Sequence, residues 1–166
     1  MAAVTTTQSE TKTAAVPSIA DRVARILLLV LLFAGGLAVG TVGSFLHRAE
    51  FNTGSLAWPD GLLLSLGGLV GLMLGLIELL PVVGEGRATV PARFPGLVAT
   101  GAGWVIAVIW LTYVGPPFSF ANKGDVILAN DWISMAYLIV GMALTTVFLY
   151  RAWIASLDVK LARARG

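Results

Sequence analysis

Glu78 is the one ionisable side chain of this 166-residue sequence inside a long apolar run, and it is the first candidate for chemistry. A charged group at mid-bilayer costs about 2.5–3.5 kcal/mol on insertion scales, so such a residue suggests a proton or cation site, or a buried contact to a partner. Its run, 61–83, centres on Leu72, which leaves Glu78 roughly 9 Å off centre at 1.5 Å per residue. At that depth a carboxylate also reaches headgroups, water or a basic neighbour such as Arg25, Arg87 or Arg93. An interfacial ion pair is therefore the plainer expectation. Pro81, three residues on, has no N–H to offer the Ile77 carbonyl and should end or kink the helix there.

The remaining reactive types are sparse. His47 is the single histidine, and beside Arg48 and Glu50 it is either a pH-sensitive group or a solvated one. Of Ser44, Ser65 and Ser134, only Ser44 has a histidine close in sequence, His47, and no nucleophile–base set is visible. Asp125 and Asp131 are two carboxylates where calcium needs more oxygen ligands. The sequence has 0 Cys, which excludes thiolate catalysis, disulfides and cysteine-ligated metals. The expectation is no catalytic residue, no cofactor and no metal site, and hence a protein that is not an enzyme.

Four long apolar runs, at about 26–46, 61–83, 96–114 and 132–150, must position these groups. Roughly 20 apolar residues span a bilayer core about 30 Å thick, and lipid offers backbone groups no partners, so each run must be a helix. With 57% hydrophobic and only 12% charged residues, the composition suits lipid as solvent. The fold expected is all-α: a polytopic membrane protein with four transmembrane helices in a compact bundle over 18–151. Residues 1–17 read as a disordered tail, Ser18 with Asp21 as a helix N-cap, and 152–166 as a basic amphipathic tail lying along the membrane surface. The first uncharged stretch continues to Leu46, too long for a signal-peptide core, so a retained span is expected.

Basic residues set the orientation. Arg22, Arg25, Arg87, Arg93, Arg151, Lys160, Arg163 and Arg165 all fall on one side of a four-span chain, and only Arg48 and Lys123 on the other. By the positive-inside rule both termini face the cytoplasm of a bacterial plasma membrane. Trp58, Trp110, Tyr113 and Trp132 would mark the outer interface, Tyr150 and Trp153 the inner one. A net charge of +2 is too small to suggest nucleic acid.

Small residues recur at helical spacing. Gly67, Gly71 and Gly75 share one face of the second run; Gly36 and Gly40 lie in the first, Ala99, Gly103 and Ala107 in the third, and Gly141 with Thr145 in the fourth. Such ridges let helix backbones approach closely in lipid. They are expected either to pack the bundle internally or to dock a partner subunit.

Three segments carry a resemblance: Trp58-Pro59-Asp60-Gly61-Leu62-Leu63-Leu64, Gly101-Ala102-Gly103-Trp104 and Gly141-Met142-Ala143. Over about 25–150 the chain resembles a family of small actinobacterial four-helix membrane proteins of uncharacterised function, which implies no catalytic residues. In general form it is also similar to accessory subunits of actinobacterial respiratory supercomplexes, which fill interfaces between cytochrome complexes. The expected role is a non-enzymatic accessory or scaffold subunit whose partners are the lipid bilayer and other membrane subunits. The alternative is a small proton-coupled transporter using Glu78.

Overall fold

The computed structural model describes residues 18–46, 60–82, 91–113 and 132–165. They form four helices: α1 (Ile19–Leu46), α2 (Asp60–Leu79), α3 (Arg93–Tyr113) and α4 (Trp132–Arg165). All four are long and apolar enough to cross a membrane. The expected tail over 1–17, the outer connections with His47, Arg48, Glu50, Trp58, Lys123, Asp125 and Asp131, and Arg87 lie outside the described residues.

The helix ends follow from local chemistry. Ser18 caps α1: its hydroxyl accepts from the Asp21 N–H at 3.2 Å, while an Asp21 carboxylate oxygen accepts from the Ser18 N–H at 3.0 Å. This reciprocal box starts the helix before its apolar part begins. α2 stops at Leu79, short of the expected Val83, because Pro81 cannot donate into the helix. α3 tolerates Pro95 because the missing N–H falls in its first turn, where no acceptor exists.

Arg93 ties the last two of these ends together. Its backbone N–H donates to the Pro81 carbonyl at 2.7 Å, and its Nε donates to the Leu80 carbonyl at 3.2 Å. Arg93→Ala leaves the Leu80 carbonyl without that donor and should cost about 1 kcal/mol, read as a lower midpoint in reversible mixed-micelle unfolding.

The helices do not pack in chain order. α1 lies closest to α3, α2 contacts both α1 and α4, and α4 closes the ring on α3. The backbones of α1 and α4 nowhere come within 8 Å. Leu32 meets Gly96, Gly36 meets Thr100, and Gly40 meets Trp104 and Ala107, so α1 and α3 run parallel. α3 runs antiparallel to α4, since Trp104 meets Gly141 and Gly101 meets Thr145. The same test with Leu80 against Gly96 and Met73 against Gly101 sets α2 antiparallel to α3.

Directions thus alternate, and the start of α1 shares one end of the bundle with the finish of α4. Every described basic residue falls at that end, and the opposite end carries only Asp60 among described charges. Exposed Trp110 and Trp132 sit at the acidic end, exposed Tyr150 and Trp153 at the basic one.

The core is built on Leu69, Met73, Leu97, Trp104 and Tyr137, each 0% exposed. Around it Ile26, Leu27, Leu31, Leu64, Ile109, Ile139 and Val147 are more than half exposed, an apolar exterior suited to lipid. α4 runs on past Tyr150, where the apolar run ends. It continues as one helix to Arg165, with neither glycine nor proline after Gly141 to turn it onto a surface.

Candidate functional site

The glycines divide into two sets with opposite surroundings. On α1 and α3 they mark the closest helix crossing. A methyl group on Gly36 would collide with the Thr100 carbonyl, and one on Gly103 with the Phe33 carbonyl. At Gly40 it would stand 2.8 Å from Ala107 Cβ and 2.9 Å from the Trp104 carbonyl. Backbone approach this tight is what small residues permit in lipid. Ala99, expected on this seam, is only partly covered; Thr100 takes the contact instead.

Gly141 serves a different purpose. A methyl there would strike the six-membered ring of Trp104, which fills the centre of the bundle. The Trp104 and Tyr137 rings meet edge to face, with centroids 5.7 Å apart at 64°. Above them Gly43 leaves room for the Tyr137 hydroxyl, which would lie 2.6 Å from a methyl at that position. Gly43, Gly96 and Gly101 are not among the small-residue ridges read from the sequence. Their close contacts with Tyr137, Leu80 and Thr145 depend on which helices are neighbours.

Among the described residues, Gly67, Gly71 and Gly75 have nothing within 4 Å of where a side chain would begin, and the same is true of Gly68. This face of α2 points away from the other three helices. Glu78 continues it, seven residues after Gly71, and is exposed. No ion pair joins Glu78 to a described residue. Of its expected basic partners, Arg93 has its Nε on the Leu80 carbonyl, and Arg87 lies outside the described residues. A carboxylate on the outer face does not line a path through the interior of a single chain.

The Tyr137 hydroxyl donates across to the Gly40 carbonyl of α1 at 3.5 Å, whereas five other buried hydroxyls are spent locally. Ser44 donates to the Gly40 carbonyl at 2.7 Å, Thr100 to Gly96 at 3.1 Å, Thr112 to Val108 at 2.7 Å and Thr145 to Gly141 at 2.9 Å. Ser65 donates to the Leu62 carbonyl at 3.0 Å. Such bonds satisfy a polar group in lipid within its own helix. Among the described residues no three His, Cys, Asp or Glu side chains gather at one place.

What the described residues present on their outside is an open face of α2. It is a flat small-residue face, about two turns long, with one carboxylate at its basic end. No known protein family, curated protein or solved structure matches this chain.

Proposed function

We propose that this chain is a non-enzymatic accessory or scaffold subunit of a larger plasma-membrane complex, with both termini in the cytoplasm. One observation carries the reading: the α2 face of Gly67, Gly68, Gly71 and Gly75 is open. A glycine inside a helix costs about 0.5–1 kcal/mol relative to alanine. Gly36, Gly40 and Gly103 offset that cost with a close helix contact; the α2 glycines gain none among the described residues. A helix from another subunit, packed on the flat face, would supply the missing contact. Glu78 at the edge of that face would find a partner there too. A respiratory assembly is the complex that the general form suggests.

The test is native extraction in a mild detergent or polymer, followed by sizing and mass spectrometry. The wild-type protein is expected in a complex larger than the 17.4 kDa chain, with defined companions. Gly67→Leu combined with Gly71→Leu should release it as a folded single chain with unchanged helicity. Recovery of the wild type only as a lone chain would sink the proposal.

A further inference from the structure

A second surface lies outside the apolar bundle. α4 has 34 residues, about 51 Å at 1.5 Å rise, against a bilayer core of about 30 Å. Its last buried residue is Ala152, and every described residue from Trp153 onward is at least partly exposed. Roughly four turns of helix therefore project from the basic end, with no backbone within 8 Å of α1.

The projecting part carries an ordered apolar seam. Tyr150, Ile154, Leu157, Leu161 and Ala164 follow one another at steps of four, three, four and three residues. That is the a/d spacing of a heptad repeat, with β-branched Ile154 at a and Leu157 at d. Bundle contacts on α4 come from Ser134, Tyr137, Gly141, Thr145, Phe148 and Ala152, which occupy the opposite side of the helix. The seam is left outward: Tyr150 is 59%, Ile154 37% and Leu161 53% exposed. The positions flanking it include Arg151, Lys160 and Arg165 against a single Asp158.

We infer that this extension is a docking handle for a partner α-helix outside the bilayer, one with its own apolar a/d seam and acidic flanking positions. Two other occupants fit less well. Lying on a lipid surface would need a sharp bend, and the stretch 142–165 has no glycine or proline to make one. A second copy, held in the same orientation by the membrane, would pair in parallel and set Lys160 of each chain against Arg165 of the other. Those like charges repel. The inference goes beyond the α2 face and does not depend on it.

The experiment uses the full chain in nanodiscs of phosphatidylcholine. The probes are two labelled three-heptad peptides with Ile at a and Leu at d, one with Glu and the other with Lys at every e and g. The Glu peptide is expected to bind at least tenfold more tightly. Lys160→Glu with Arg165→Glu should invert that preference, and Leu157→Ser with Leu161→Ser should abolish binding of both. Equal affinities, or no binding of the Glu peptide to the wild type, overturn the inference. So do spin labels at 157 and 161 that report immersion in lipid headgroups, or close label pairs between copies. Loss of native companions through α2 leaves these readouts unaffected, so the two ideas fail separately.

Discussion

Gly103→Ala will destabilise the isolated chain by about 2–3 kcal/mol, and Gly36→Ala by a similar amount, the range expected when a packed interior is overfilled. The added methyl in each case meets a backbone carbonyl, of Phe33 or of Thr100, rather than the end of a side chain that could swing away. Relief requires α1 and α3 to separate, and these two helices form the tightest pair in the molecule. Gly71→Ala is the control. Its methyl enters open space, and removing a helix glycine should add up to about 1 kcal/mol of stability. Equilibrium unfolding in mixed micelles, followed by far-ultraviolet circular dichroism, gives both values. Equal effects at positions 71 and 103 would mean that the two glycine sets do not differ as described.

Trp104→Ala is the second large effect, a loss of about 3–5 kcal/mol from deleting a fully buried aromatic. Trp104 Nε1 has no hydrogen-bond partner of adequate geometry, so Trp104→Phe gives up ring volume but no hydrogen bond and should cost far less. The contact with Gly141 supplies a sharper check. Gly141→Ala alone should destabilise by forcing the indole aside. Once Trp104 is truncated, the same methyl enters the cavity it leaves and should be neutral or favourable. The double-mutant cycle is therefore strongly non-additive, as expected for residues in contact. Additive costs would show that the indole does not rest against Gly141.

Much of this architecture is legible in the amino-acid order, for a physical reason. A bilayer forces long apolar segments into helices, so 26–46, 61–83, 96–114 and 132–150 could be read from length and composition. Their limits depend on local capping chemistry, which is also visible in the sequence: Ser18 with Asp21 marks the start of α1 and Pro81 the end of α2. The candidate interface was legible only by half. Spacing shows that Gly67, Gly71 and Gly75 flatten a face, just as Gly36 and Gly40 do. It does not show that the first face is open and the second is covered, since that depends on α1 pairing with a helix two places along the chain. Trp104 hid for the same reason: an indole in an apolar run looks like any other until Gly141 is known to face it. Glu78 showed its depth in the sequence but not its direction, which a slightly different rotation of α2 would have reversed.

The pairing of α1 with α3 has a consequence for biogenesis. As the nascent protein leaves the ribosome, α1 enters the membrane first, and its groove at Gly36 and Gly40 has no occupant while α2 is made. At about 5–20 residues per second, several seconds pass before α3 emerges to fill it. By the end of that interval the newborn chain displays two open glycine faces, and among the described residues only the first is covered in the finished fold.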